Sequence, residues 1–309
     1  MGKLAFLFPG QGSQAVGMGQ DLQTDVFERA DHALGYKLSE IISQGPDELL
    51  KRTEHTQPAL VAMSTAVLNI VKEEGIKADY VAGHSLGEYS ALVAAGSMSF
   101  EDAVVAVRNR GLFMEEAVPS GQGAMAAVLG LDRGALEDIC HAASENAGSV
   151  QLANLNCPGQ IVISGEAKAV EEAGIQAKQA GAKRVLPLQV SGPFHSLLMK
   201  PAAEKLGPVL QQITINDAMV PVVANVSAQV VTDASVIRTN LVEQVYSPVL
   251  WEDTIQTLLE LGVDTFVEVG SGNVLTGLVR KINRNVKAVS VSNREDVLKL
   301  KETLEGVTE

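Results

Sequence analysis

The sequence predicts an α/β protein in which a large parallel-sheet domain is interrupted by a small βαββαβ domain. Three observations carry that expectation. Of the 309 residues 46% are hydrophobic and 20% charged, with 28 glycines and few aromatics, the profile of a core built from Val, Leu, Ile and Ala. Gly83-His84-Ser85-Leu86-Gly87 lies between a strand-like and a helix-like segment. The pattern of elements changes after the breaker-rich Pro119-Ser120-Gly121-Gln122-Gly123 and changes back near residue 190. A chain this long also exceeds the common single-domain size.

Taken in order, residues 3–8 are a short apolar run stopped by Pro9-Gly10 and read as a buried strand. Residues 58–73 have helical spacing, with His55 in the loop that enters the helix. A strand over 78–82 leads into the Gly83–Gly87 turn, and a helix follows over 88–96. Ser99 is placed to cap a helix over 100–118. Strands over 124–130, 150–156, 160–165 and 183–188, with helices over 133–144 and 167–180, complete the βαββαβ order of a ferredoxin-like unit. Parallel-sheet habits then return, with strands at 221–225, 265–269 and 288–291 separated by helical stretches. The expected division is a discontinuous large domain, 1–123 and 191–309, with 124–190 inserted.

Charge and cysteine content exclude several classes. A net charge of −13 argues against a nucleic-acid or anionic-membrane partner. Cys140 and Cys157 alone make neither a disulfide framework nor a metal site, and they fit a reducing compartment. The apolar run at the N-terminus is too short for a signal peptide, and no stretch approaches the ~18 apolar residues of a membrane span. A cytoplasmic protein is expected.

The chemistry starts at Ser85. In a strand-turn-helix elbow the flanking glycines allow a bend so tight that the residue between them is strained and its hydroxyl stands clear above the sheet. The helix N-terminus behind it, led by the Leu86 N–H, points donors at an oxygen that becomes negative when a carbonyl is attacked. The pattern points to acyl transfer, with a tight turn as the bland alternative. A serine nucleophile needs a base. His84 diverges from Ser85 on the turn, His32 and His141 fall in helical segments, and His55 in an entry loop. His195 remains, in Ser191-Gly192-Pro193-Phe194-His195-Ser196, where the inserted domain hands back to the large one. Serine before histidine is also the α/β-hydrolase order, so the large domain is expected to be α/β-hydrolase-like. Arg110 interrupts an apolar row formed by Ala106, Val107, Phe113 and Met114, without an acid at salt-bridge spacing. Such a residue either receives a carboxylate from the substrate or snorkels outward to another partner.

Phe8-Pro9-Gly10-Gln11-Gly12-Ser13-Gln14, Thr56-Gln57-Pro58-Ala59-Leu60, the run from Gly83 to Leu92, Arg110-Gly111 and Gly192-Pro193-Phe194-His195-Ser196 together resemble the malonyl-CoA:acyl carrier protein transacylases. The resemblance extends from Phe6 past Gly270-Ser271-Gly272-Asn273-Val274-Leu275. It implies a ping-pong transfer of malonate from coenzyme A to a serine and then to the phosphopantetheine thiol of acyl carrier protein, without a metal or other cofactor. Carried over by position, Ser85 is the nucleophile, His195 the base and acid, and Arg110 the clamp on the malonyl carboxylate. The N–H groups of Gln11 and Leu86 form the oxyanion hole, and the Gln244 carbonyl stands where hydrolases have an acid. Phe194 resembles the malonyl-selecting variant of related domains. An acidic carrier approaching an acidic enzyme calls for local basic residues, and Lys183-Arg184 and Arg280-Lys281, with Arg284 and Lys287, qualify; ordinary solvated element ends are the bland reading. Rival readings are a serine hydrolase or thioesterase, a polyketide-pathway acyltransferase, a carrier-binding scaffold and a dinucleotide enzyme. The last rests on Gly10-Gln11-Gly12-Ser13-Gln14-Ala15, with acids Glu28 and Asp31 in a helix-like segment rather than at a strand end.

Overall fold

The structure, a computed structural model, describes residues 2–306. Two sheets organise it. The larger has six strands in the order β10-β9-β1-β2-β7-β8: β1 (Lys3–Phe8), β2 (Tyr80–Gly83), β7 (Val222–Val223), β8 (Val230–Val231), β9 (Val263–Val269) and β10 (Lys287–Val291). All neighbours are parallel except β7 and β8. Alternation along β1 splits the core: Leu4, Phe6 and Phe8 join the cluster under the helices Thr53–Glu73 and Phe100–Glu116, while Ala5 and Leu7 join Trp251, Ile255, Leu275 and Leu278 on the other face. Burial on both faces explains why these strands read as unbroken apolar runs.

The smaller sheet has the order β4-β5-β3-β6, all antiparallel, from β3 (Gly123–Leu129), β4 (Val150–Cys157), β5 (Gln160–Glu166) and β6 (Arg184–Pro187). The helices Arg133–Ala147 and Ala167–Gln179 cover one face through Leu136, Cys140, Ala169 and Ala173. Met125, Ala153 and Val162 on the other face join the main core. Backbone bonds between Val249 and both Ala153 (2.8 Å) and Leu155 (3.0 Å) tie β4 to the large layer.

Several elements depart from the sequence expectation. The helix expected from residue 58 begins at Thr53, which places His55 in its first turn. Pro58 therefore sits inside the helix, and the Glu54 carbonyl its missing N–H leaves free accepts from Arg108 Nη1 at 2.8 Å. The helix from Phe100 ends at Glu116, with Ser99 accepting from the Asp102 N–H as its cap. The strand expected over 221–225 pairs only at Val222–Val223. After β1 the next helix starts at Val26, so the Gly10-Gln11-Gly12 loop opens no helix to receive a pyrophosphate, which removes the dinucleotide reading. Among the described residues no helix is long and apolar enough to cross a membrane.

In chain order β1, β2 and β7 run one way across the sheet, while β9 and β10 lie on the other side of β1. The order reverses beside β1, and in open parallel sheets a crevice forms at the strand C-termini at such a point. The turns after β1 and β2 leave the sheet there.

Candidate active site

The chain turns from β2 into the helix Gly87–Ala94 through Ser85, whose φ is +53°, a left-handed conformation rare outside glycine. The bend works because Gly87 lies directly under the β1 end: a Cβ there would sit 2.1 Å from the Phe8 carbonyl oxygen. Asn225 holds the strained residue. Its Oδ1 accepts from the Ser85 N–H at 2.7 Å and its Nδ2 donates to the Gly83 carbonyl at 2.7 Å, inside the protein. An element end expected to be plain strand is thus the buttress of the elbow.

His195 also has positive φ, +57°. Its Nε2 stands 2.8 Å from Ser85 Oγ, and its Nδ1 2.9 Å from the Gln244 carbonyl and 3.2 Å from that of Ser247. Two carbonyls can only accept, so the proton belongs on Nδ1 and the Nε2 lone pair faces the serine hydroxyl. Burial, followed by the nearby Arg110 charge, pushes the imidazole down to about 3, so it is neutral in the free enzyme with the Nε2 lone pair open toward the hydroxyl. Gln151 on β4 secures the backbone, donating to the His195 carbonyl at 3.2 Å and accepting from the Leu197 N–H at 3.0 Å. The other histidine of the turn, His84, points away and meets Asn156 Oδ1 at 2.8 Å.

Arg110 faces inward and is 1% exposed. Its Nη2 donates to Ser85 Oγ at 3.1 Å and to Gln244 Oε1 at 3.0 Å, while Nε has no acceptor. Both partners are neutral, and no carboxylate among the described residues lies within 4.0 Å. Burial holds its pKa below the usual arginine value. Gln244 is doubly used, since its side-chain Nε2 donates to the Ser85 carbonyl at 2.9 Å and to Glu88 Oε2 at 2.6 Å. Glu88 is buried as well, and desolvation pushes it up to about 7 against the opposing pull of Gln244, the Asn225 N–H and Arg110.

The loop after β1 lies against the elbow: a Cβ on Gly10 would be 2.5 Å from the His84 carbonyl oxygen, and the His84 N–H donates to Phe8 at 3.0 Å. Gln11 follows Gly10 in this loop, and its side-chain Nε2 lies 3.5 Å from Thr53 Oγ1. Phe194 is buried in the main core beside Gly192. Lys183 and Arg184 stand at one end of the small sheet, where Arg184 pairs with Leu129; Lys281 Nζ meets Gln160 Oε1 at 3.0 Å at the same end, and Arg280 donates to the Ala288 carbonyl at 2.7 Å. Of the residues singled out from sequence, Ser85, His195, Arg110 and Gln244 meet directly. Asn225, Gln151, Glu88 and the Gln244 side chain went unnoticed there.

A serine hydroxyl 2.8 Å from a neutral imidazole at a topological switch point is the pairing expected of the broad class of enzymes that act on acyl groups. The chain belongs to the acyl transferase family, whose domain matches residues 5–300. It is 57% identical to the malonyl CoA-acyl carrier protein transacylase of Bacillus subtilis over 303 residues, 96% of each chain. The acyl-carrier-protein-S-malonyltransferase of Bartonella henselae superposes with a TM-score of 0.95 at 47% identity, over 98% of this chain and 99% of that one. A malonyl-transacylase solved in complex with its type II polyketide acyl-carrier protein superposes with a TM-score of 0.94 at 45% identity, over 97% and 99%.

Proposed function

We propose that this chain transfers malonate from malonyl-CoA to the phosphopantetheine thiol of an acyl carrier protein, through a malonyl ester on Ser85. The observation that carries the reading is the guanidinium of Arg110, buried, without a carboxylate partner and 3.1 Å from the nucleophile. A site for plain acyl groups has no use for a desolvated cation there. As Ser85 Oγ attacks the thioester carbonyl, His195 Nε2 takes its proton, and the oxyanion is met by the N–H groups of Gln11 and Leu86. Collapse expels the coenzyme A sulfur, which takes the proton from His195. The carrier's thiol then gives its proton to Nε2, attacks the ester and releases Ser85, which regains that proton. The Gln244 carbonyl keeps Nδ1–H oriented throughout, stabilising an imidazolium less than a carboxylate would. No metal or cofactor enters these steps, and Phe194 narrows the acyl pocket against an α-methyl group.

The same reading divides the chain into an α/β-hydrolase-like large domain, 1–123 and 191–309, and a ferredoxin-like insert, 124–190. The strand order of the small sheet supports the latter. Acyl carrier protein docks against the end of that sheet flanked by Lys183, Arg184, Arg280 and Lys281. We place the reaction in the cytoplasm and in fatty-acid biosynthesis, with a polyketide pathway, which draws on the same donor and the same kind of carrier, as the alternative. The test is to time the two half-reactions separately: malonyl-CoA should acylate the enzyme without carrier, and the acyl-enzyme should deliver malonate to carrier thiol faster than to water.

A further inference from the structure

Glu88 lies in the first turn of the helix behind Ser85, 4% exposed, and among the described residues it makes no salt bridge. Its Oε2 accepts from Gln244 Nε2 at 2.6 Å and from the Asn225 N–H at 3.3 Å. Those contacts reach both residues that shape the site, the one beneath Arg110 and His195 and the one that buttresses the elbow.

The orientation of the Gln244 amide follows from Glu88. A carboxylate and the Ser85 carbonyl are both acceptors, so both must be served by Nε2, which leaves Oε1 for Arg110 Nη2. With the amide reversed, its donors would face a guanidinium that has only donors. Charge gives a second link. Arg110, on the helix Phe100–Glu116, faces Glu88 across this one amide. The other groups packed here, Tyr89 on the same helix as Glu88, Gln244, Asn225, and His195 beyond Gln244, contribute no charge, since burial favours the neutral forms of Tyr89 and His195. In the free enzyme the site therefore holds one buried cation and one buried acid.

We propose that Glu88 is a positioning residue for carboxylated acyl donors: it fixes the Gln244 amide beneath Arg110 and balances the Arg110 charge until the donor's carboxylate takes over, whereupon Glu88 accepts a proton from solvent. The inference rests on the malonyl reading of Arg110. A second anion in the same low-dielectric pocket leaves two acids for one cation, and the one without direct ion pairing is neutralised. Burial already pushes Glu88 up to about 7 and the Arg110 charge acts against that rise, so cancelling this charge moves it further in the same direction.

The experiment follows loading of the full chain from malonyl-CoA and acetyl-CoA between about pH 6 and about pH 8.5, comparing wild type with Glu88→Gln and Glu88→Leu. The two donors share their nucleotide, so the ratio of their KM values isolates the carboxylate. In the wild type the malonyl-to-acetyl KM ratio should rise several-fold, roughly three to ten, as pH rises, because the required proton becomes scarcer. In Glu88→Gln, which keeps an acceptor and loses the titration, the ratio should be flat. Glu88→Leu should lower malonyl kcat/KM on the order of 10- to 100-fold, with a smaller loss for acetyl, and Glu88→Gln should recover most of it. A wild-type ratio that is flat, or that changes identically in Glu88→Gln, overturns the inference, as does a folded Glu88→Leu enzyme losing both donors equally. If Glu88→Leu does not fold, the Gln comparison decides. A wild-type enzyme that forms no malonyl ester at any pH overturns the malonyl reading and this inference with it; an ester formed with a flat profile overturns this inference alone.

Discussion

Replacing Arg110 with alanine separates substrate recognition from chemistry. In the free enzyme its Nη2 is shared between two neutral acceptors, Ser85 Oγ and Gln244 Oε1, and its Nε is unpaired. A carboxylate arriving beside Ser85 exchanges those contacts for a charge pair. Truncating one partner of a buried, hydrogen-bonded charge pair costs ~2–5 kcal/mol. The lower half of that range applies here, because Nη2 gives up existing hydrogen bonds to make the new one. At ~1.4 kcal/mol per decade, malonyl kcat/KM should fall roughly 30- to 300-fold. Acetyl loading should stay within about threefold, so the preference between donors collapses or reverses. Arg110→Lys should recover little, since an ammonium lacks the planar fork. Thermal stability should drop less than a buried residue of this size suggests, because Arg110 donates only to neutral acceptors and meets the Glu88 charge only across the Gln244 amide, which leaves much of its desolvation cost unrecovered. The assay is single-turnover loading from each donor with differential scanning calorimetry alongside. Equal losses for malonyl and acetyl would refute the reasoning and make Arg110 structural.

Asn225→Ala leaves the Ser85 N–H and the Gly83 carbonyl without partners inside the protein, which should lower stability by about 2–4 kcal/mol and slow loading from both donors alike, as urea unfolding and burst kinetics would report. Because His195 is pushed down to about 3 in the free enzyme, kcat/KM for acetyl loading should hold down to about pH 5 instead of halving near 6.5, the usual histidine midpoint. The same depressed value makes the His195 contribution to stability complete above its unfolded pKa of about 6.5 and progressively lost as pH falls toward 3; Glu88, raised from 4.5 to about 7, acts oppositely, its contribution present below about 4.5 and lost as pH rises through 7, and urea midpoints of the two single variants across this window should diverge in those directions. Reversing Lys183 and Arg184 to Glu should leave malonylation from coenzyme A unchanged while raising KM for the carrier and weakening its salt dependence; unchanged carrier kinetics would put the docking face elsewhere.

The parts legible in the sequence are those encoded locally. Gly83-His84-Ser85-Leu86-Gly87 declares a tight turn whatever lies around it, and Arg110 betrays itself by breaking an apolar helical row. The βαββαβ order is visible because each of its elements carries its own period. What stayed hidden depends on distant partners. Asn225 read as the end of a strand, yet it leaves the ladder after Val223 to hold an elbow 140 positions away. Glu88 opens the expected helix over 88–96, and nothing local marks it as buried against Gln244. Pro58 looked like the first residue of its helix, because the Arg108 side chain that serves the Glu54 carbonyl in its place comes from another helix. The Gln244 carbonyl could be assigned by resemblance, but its side chain, which links Arg110 and Glu88, gives no signal in sequence.

The central claim is that malonate rides on Ser85. It is tested most directly by incubating the enzyme with malonyl-CoA in the absence of carrier, removing free coenzyme A, and mapping the acylated residue by mass spectrometry in wild type and Ser85→Ala. A single malonyl group on the peptide containing Ser85, absent from the alanine variant and discharged by carrier thiol, is the predicted result. A malonyl group that persists in Ser85→Ala, or turnover to carrier with no acyl-enzyme in the wild type, would contradict it.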